Sequence, residues 1–337
     1  MKIGLVVNSQ HHLEKDLVQA LQEQYALVRL ARDGGWNTVI TNMHYLNEGE
    51  NRHLQIIPLT ARLQAEVGEM TLGLGILLIN LHNPVYVAET VATLDVICRG
   101  NFIFGVGLGY RDVEFDAFRV PRGQRVRRFE ECLALVKRLW TEDSVTHESE
   151  VCKLDGVRMN IRPVQRPYPP IWIAANHDNA VRRAARLGDT WYVNPHATLQ
   201  TNRRQLDLYR EERARLGLPF PTELPCRREI FCGKDRATAL ELAGPYISEK
   251  YRLYAQWGQD KAMPPGESLS LPFEELLRDR FILGSPEECY EQLRPYWEEL
   301  GVNHFIFRTH FLGMPVSSAI SSMRLISEEI LPELRKL

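Results

Sequence analysis

The sequence predicts an α/β protein, a single (β/α)8 TIM barrel formed by residues 1–337. Eight short apolar segments with strand character alternate along the chain with segments of helical periodicity. The third and fourth of these segments are continuously apolar, as expected for parallel strands that are covered on both faces. No linker rich in Pro, Gly or Ser interrupts the alternation, which favours one domain over two.

The predicted strands are short apolar stretches bounded by turn residues, and they are residues 2–8, 38–42, 73–80, 101–109, 170–176, 189–194, 226–232 and 303–309. The predicted helices carry apolar residues at helical spacing, and they are residues 13–33, 58–67, 84–97, 125–140, 178–187, 201–216, 235–257, 287–300 and 317–336. Three segments depart from the alternation, and we predict that they are insertions at the carboxyl ends of the strands, at approximately 110–124, 144–169 and 258–280.

Each insertion has its own expected form. Residues 110–118 are expected to form a loop, because glycines end the strand before them. Residues 144–169 contain short alternating segments and prolines, which indicate a hairpin or loop. Residues 258–272 are polar and contain Pro and Gly, and they are the best candidate for a mobile lid.

The composition excludes several classes of protein. The chain is 44% hydrophobic and 25% charged, which supports a sizeable core and argues against disorder. Its net charge of −2 predicts no bulk attraction to nucleic acid or acidic membranes. No apolar run is long enough to span a membrane, and residues 1–8 lack the parts of a signal peptide, so we expect a cytoplasmic protein. The six cysteines form no C-x-x-C pair, which favours buried free thiols.

The carboxyl ends of the predicted strands are where the active site of such a barrel lies. These ends are rich in amides and imidazoles and poor in carboxylates. The chain therefore lacks the paired acids of a glycosidase, and it also lacks metal-ligand spacing, a G-x-S-x-G elbow and a P-loop. This absence indicates that an organic cofactor supplies the reactivity.

Three features at these ends leave alternatives open. The glycines around 73–75 and 105–109 lack the spacing of a dinucleotide fingerprint, so they permit close approach of a flat ligand or backbone, or simply tight packing at the inner wall. Residues 176–179 begin a helix and provide either an anion site or ordinary N-caps. His44 is either a catalytic or a structural histidine.

Several motifs occur in an order typical of one family. They are Leu72–Leu78, His82–Val85, Ala92–Val96, Phe104–Gly109, Glu114–Pro121, Arg166–Ala174, Ala184–Asp189 and Gly284–Glu288. Together they cover nearly the whole chain, and the sequence resembles the bacterial-luciferase-like flavin-dependent monooxygenases, a (β/α)8 superfamily. Two departures are the Asn42-Met43-His44 run, where the family often has Glu-His-His, and the Ala174–His177 turn, where it is often rich in Gly and Ser.

The resemblance implies an enzyme that takes reduced FMN from a separate flavin reductase and uses O2 to oxygenate a small organic substrate. One alternative is an oxidoreductase that transfers hydride with the deazaflavin F420. Another is a non-catalytic barrel that binds flavin or serves as a heterodimer partner. The resemblance also implies a homodimer formed through the second and third helices, and it implies neither a nucleic-acid nor a membrane partner.

The resemblance further implies roles for individual residues. His44 would be catalytic, and the Gly75–Ile76 peptide bond would be cis and support the flavin ring. The residues expected to bind the cofactor are Gly75, Ile76, Asn80, Gly107, Leu108, Gly109, Tyr110, Ala175, Asn176, His177 and Asn179. The residues expected to orient the substrate are Asn8, Asn194, Arg228 and Arg308, and no metal ligand is expected.

Overall fold

The computed structural model describes residues 1–47 and 49–337, and it confirms a closed barrel of eight parallel strands. The strands are β1 (Lys2–Val6), β2 (Gln10–His12), β3 (Thr38–Thr41), β4 (Asn51–His53), β5 (Thr71–Leu74), β6 (Phe102–Val106), β7 (Val145–Glu148), β8 (Lys153–Val157), β9 (Ile171–Ala175), β10 (Thr190–Val193), β11 (Pro225–Cys232), β12 (Phe281–Gly284) and β13 (His304–Arg308). The α-helices are α1 (Leu17–Asp33), α2 (Ile56–Val67), α3 (Pro84–Ile97), α4 (Asp112–Ala117), α5 (Arg125–Thr141), α6 (Asp178–Leu187), α7 (Leu199–Arg215), α8 (Arg236–Gln256), α9 (Phe273–Leu276), α10 (Pro286–Glu298), α11 (Val316–Leu325) and α12 (Leu331–Leu334).

The barrel runs in the order β1, β3, β5, β6, β9, β10, β11 and β13, and β13 pairs with β1. The seam between β10 and β11 closes through one parallel register pair, Val193 with Cys226. Because side chains alternate along a strand, every second residue faces the barrel interior. These inward apolar residues form a separate cluster of Val6, Ile40, Ile103, Trp172, Tyr192 and Ile306. The outer faces of the strands pack against the helices in the main core.

Among the differences from the sequence prediction, three lie at the carboxyl ends of β5, β6 and β11. The third strand ends at Leu74, and Ile79–Leu81 form a 3-10 turn, because an apolar run marks burial without distinguishing a strand from a buried turn. The predicted loop after the fourth strand contains α4. The strand β12 was not predicted. It pairs with residues 229–232, the carboxyl-terminal part of β11.

The predicted hairpin at 144–169 is present as the antiparallel pair β7 and β8. It lies between the end of α5 and the start of β9, and Gln165 donates from Nε2 to the carbonyl of Phe102, the first residue of β6 (2.8 Å). Since this connection precedes its strand, the hairpin lies at the amino-terminal end of the barrel, and the expected location at the carboxyl ends is wrong for this segment.

The cysteines and the helices of the chain can also be compared with the expectations from the sequence. All six cysteines are buried and free, as expected. Among the described helices, none combines the length and apolarity that crossing a bilayer requires.

Glycines within β6 and just after it let the neighbouring segment that follows β5 approach closely. A Cβ atom on Gly105 would lie 1.8 Å from the carbonyl oxygen of Leu74, and one on Gly107 would lie 2.0 Å from Cδ1 of Ile76. Hydrogen bonds from Leu77 N to Gly105 O (2.9 Å) and from Gly107 N to Leu77 O (3.2 Å) hold the segments together. Tight packing of the wall therefore accounts for Gly105 and Gly107.

We expect Gly105→Ala to destabilise the protein by at least about 3 kcal/mol, because the new methyl group would meet backbone that cannot rotate away. The matched control is Gly123→Ala, where an added Cβ meets nothing within 4 Å. Urea denaturation of both variants measures the difference. A Gly105→Ala variant as stable as the control would show that the strands can separate at no cost.

Candidate functional site

A cavity of about 280 Å³ opens at the carboxyl ends of the strands, close to the lower end of the range for small-molecule sites, roughly 300–1,000 Å³. Ten of the predicted site residues line it, namely His44, Gly75, Ile76, Leu108, Gly109, Tyr110, Ala175, Asn176, His177 and Asn194. The peptide bond between Gly75 and Ile76 is cis, which confirms the bond that the resemblance implied. The structure thus gathers most of the predicted residues around one cavity.

Six predicted residues lie outside the lining of this cavity: Asn8, Asn80, Gly107, Asn179, Arg228 and Arg308. Asn80 supports the wall, because its Nδ2 donates to the carbonyl of Leu108 (3.1 Å). Asn8 accepts from Nη2 of Arg308 (2.8 Å), so these two buried residues bind each other. Asn179 is exposed on the first turn of α6.

The structure brings Arg227 to the cavity in place of the predicted Arg228. The side chain of Arg228 lies over the ring of Tyr296 in α10 at 4.5 Å, on the outer side of β11. Adjacent residues of a strand point to opposite faces, so a one-residue error in the assignment of the inner face exchanges the two arginines.

His44 lies where several segments meet, and its side chain is 17% exposed. Its Nδ1 is 3.2 Å from Oε1 of Glu114, and its Nε2 is 3.4 Å from the hydroxyl of Tyr110. Because a carboxylate only accepts hydrogen bonds, Nδ1 carries the proton in the neutral ring. Nε2 is then the basic nitrogen beside the cavity.

Glu114 is the carboxylate that the sequence analysis missed. It is fully buried on α4, it accepts from the backbone N–H of Tyr45 (2.9 Å), and it lies 3.6 Å from Nη1 of Arg111. The signal was present, since Glu114 begins one of the motifs that carry the family resemblance. It escaped because we considered only strand ends, whereas an insertion supplies it.

Aromatic side chains complete the surroundings of His44. Tyr110 and Trp257 each place a ring centroid 5.5 Å from that of His44, in edge-to-face geometry. Burial beside Tyr254 and Glu114 raises the pKa of Tyr110 well above its ordinary value. Its hydroxyl therefore remains a hydrogen-bond donor at neutral pH.

The start of α6 lies at another part of the cavity rim, where Asn176 and His177 are lining residues. The carboxylate of Asp178 binds Nη1 and Nη2 of Arg204 (2.6 and 2.9 Å), and this pairing lowers the pKa of Asp178. Arg204 of α7 therefore neutralises the negative charge of Asp178 at the start of α6. Arg122 and Arg125 also line the cavity, so the helix N-terminus is accompanied by two guanidinium groups.

The third insertion contributes Gln259, Lys261 and Ala262 to the cavity. Glu267, in the later part of this insertion, binds residues at the start of α7 and just before it. This carboxylate accepts from N and Oγ1 of Thr198 (2.9 and 2.6 Å) and from Oγ1 of Thr201 (2.5 Å), and it pairs with Arg280. We call this group of four residues the Glu267 clip.

An ion pair lies buried behind the cavity wall. Glu229 of β11 pairs with Lys250 of α8, and their side chains are 0% and 1% exposed. The hydroxyl of Tyr251 also donates to Glu229 (3.2 Å). Although burial alone would raise the pKa of Glu229, the positive charges of Lys250 and Arg227 lower it to about 2.

Known proteins share this architecture. A family model described as luciferase-like monooxygenase matches residues 1–304. An F420-dependent glucose-6-phosphate dehydrogenase of Amycolatopsis mediterranei is 24% identical, covering 100% of this chain and 99% of its own. Monooxygenase RslO1 from Streptomyces bottropensis superposes with a TM-score of 0.86 at 24% identity, covering 99% of each chain.

A further solved structure is the oxygenating constituent of 3,6-diketocamphane monooxygenase of Pseudomonas putida, in complex with FMN. Its TM-score is 0.79 at 17% identity, and 99% of this chain and 98% of that chain are covered. At these identities the structural likeness shows the shared fold, whereas the family model spans most of the sequence. On that match, the chain belongs to the luciferase-like monooxygenase family.

Proposed function

We propose that the protein is an FMN-dependent monooxygenase that receives reduced FMN from a separate reductase and oxygenates a small organic substrate. The observation that carries the proposal is the joining of His44, the Gly75–Ile76 segment and a cationic rim in one cavity. The shared fold of the monooxygenase RslO1 and of the FMN-bound diketocamphane monooxygenase supports it.

The lining residues fit a flat, negatively charged cofactor. No Asp or Glu is found among the described residues that line the cavity, whereas Arg122, Arg125 and Lys261 are. The flavin ring would lie against the segments of Ile76 and Leu108. Its phosphate would be held by Arg122, Arg125 and the first turn of α6, where backbone N–H groups favour an anion. When bound, reduced FMN would supply the electrons that activate O2.

The chain's own contribution is to hold a proton and to limit access of water. In this proposal, Nε2 of His44 accepts or returns a proton at the reacting centre, while Glu114 fixes the ring through Nδ1. The apolar side chains of Ile76, Leu78 and Leu108, together with the third insertion, reduce the volume open to water.

The second candidate is F420-dependent hydride transfer. The full-length match to an F420-dependent dehydrogenase favours it, because that relative aligns over the whole of this chain. The same cavity would then serve a cofactor that delivers hydride and does not activate O2.

Anaerobic titration of the purified protein with FMNH2 and with reduced F420 separates these candidates. We expect FMNH2 to bind and reduced F420 not to bind, and we expect one atom of labelled O2 in the product when a flavin reductase is added. Binding of reduced F420 alone would establish the second candidate. Binding of neither would favour a non-catalytic barrel.

The homodimer and the reductase remain proposals that rest on the resemblance. Light scattering after size-exclusion chromatography measures the mass of the assembly, for which we expect twice the 38.9 kDa of one chain.

A further inference from the structure

Tyr192, His196 and Arg227 form a group on the side of the cavity built by β10 and β11, and we call it the donor cluster. All three line the cavity, and they are only 3%, 8% and 9% exposed. Arg122, Arg125 and the start of α6 lie beyond the ends of β6 and β9, so the proposed phosphate site and the donor cluster use different strands.

Each member of the donor cluster carries a buried polar atom without a hydrogen-bond partner in residues 1–47 and 49–337. These atoms are Nε of Arg227, the hydroxyl of Tyr192 and Nε2 of His196. Gln259 donates from Nε2 to Nδ1 of His196 (3.3 Å), which places the ring proton on Nε2. The three unpartnered atoms are thus all donors, and burying donors without acceptors is costly unless a ligand provides them.

The positive charge of Arg227 is only partly compensated, because Glu229, the carboxylate that acts on it, is shared with Lys250. No described carboxylate lies within ion-pair distance of Arg227. Glu229, two residues along the same strand, is engaged by Lys250 and Tyr251. Arg308 adds a further buried cation, which binds the neutral Asn8. A ligand that completes this site must therefore bring acceptors and negative charge.

We infer that the organic substrate carries an anionic group, a carboxylate, sulfonate or phosphate ester, that binds the donor cluster through Arg227, Tyr192 and His196. A planar guanidinium suits such oxygens because it donates two parallel hydrogen bonds. The inference rests on the proposed function in one respect, namely that the rest of the substrate extends toward the flavin and His44.

Paired probes test the inference by calorimetry on the apo-protein and the FMN-loaded protein. The anions are hexanoate, hexanesulfonate and phenyl phosphate, and each is compared with its neutral methyl ester, which for phenyl phosphate is the dimethyl triester. We expect at least one anion to bind about 10- to 100-fold more tightly than its ester, the range for a hydrogen bond to a charged group. Equal affinity within all three pairs would overturn the inference.

Substitutions assign the preference to the donor cluster. Arg227→Met should abolish it, Arg227→Lys should retain part of it, and the affinity for FMN should not change. Tyr192→Phe should reduce the preference for the anion by a smaller factor. This variant provides a second test if Arg227→Met fails to fold. Arg210→Met, on the surface of α7, removes an exposed arginine as the control. The assignment would be refuted if Arg227→Met kept the preference for the anion over its ester. It would also be refuted if Arg227→Met lowered the affinity for FMN and left that preference intact.

The proposed function and the proposed anionic substrate can be refuted independently of each other. The anion preference is measured without flavin, so a protein that binds the anions but not FMN would contradict only the proposed function.

Discussion

Replacing His44 with alanine should lower the turnover number by about 10²- to 10⁴-fold, the usual contribution of a positioned general acid or base. The reason is that Nε2 of His44 faces the cavity and the Tyr110 hydroxyl and not Glu114, so it is the ring nitrogen that can accept a proton. Steady-state turnover with a flavin reductase measures the loss, and fluorescence titration should show that the affinity for FMN stays within a few-fold. Added imidazole should restore part of the activity.

The Glu114→Gln variant tests whether the carboxylate of Glu114 positions the ring of His44. The amide keeps the shape of the side chain but removes the charge that faces Nδ1, so we expect a smaller loss of turnover, about 10- to 100-fold. His147→Ala is the control, because this histidine lies on the hairpin at the other end of the barrel. Full activity in His44→Ala would leave the ring a structural role only.

Replacing Lys250 with methionine should destabilise the protein by about 3–5 kcal/mol, because it leaves the buried carboxylate of Glu229 without its cation. The matched control is Lys153→Met, which breaks a pair whose side chains are 70% and 74% exposed and which should cost about 0–1 kcal/mol. Urea denaturation at pH 7 compares them. Adding Glu229→Gln to Lys250→Met should recover most of the loss.

The pH dependence of this effect has a definite sign. The pKa of Glu229 falls from 4.5 to about 2 in the folded protein, so its contribution to stability is present above pH 4.5 and is lost as the pH falls toward 2. The difference in stability between the wild type and Lys250→Met should therefore shrink below pH 4.5. A difference that stays constant from pH 7 to pH 3 would mean that the Glu229 charge does not support the fold.

The barrel was predictable because each of its eight strands is specified by a local pattern. The alternation of apolar segments gave the eight strands, and the position of His44 followed from the end of the second strand. The strand β12 escaped because four residues that follow an insertion carry no periodicity of their own. The helix α4 escaped because six residues after a glycine-rich turn resemble a loop in composition.

The composition of the site was harder to predict because it depends on long-range placement. Glu114 reaches His44 across 70 residues of sequence, and Gln259 reaches His196 across 63. The choice between Arg227 and Arg228 depends on which face of β11 is inward, and both residues are buried, so hydrophobic alternation gives no guidance. Contacts of this kind become visible only once the strands and insertions are assembled.

The Glu267 clip has a consequence for how molecules enter. It ties Glu267, in the middle of the insertion, to the start of α7 and to Arg280, the residue before β12, so the whole segment cannot swing open as a flap. Residues 258–266, between α8 and the clip, include the three that face the cavity. Entry of a ligand past this insertion would therefore depend on rearrangement of residues 258–266 and not on hinged opening of the whole segment.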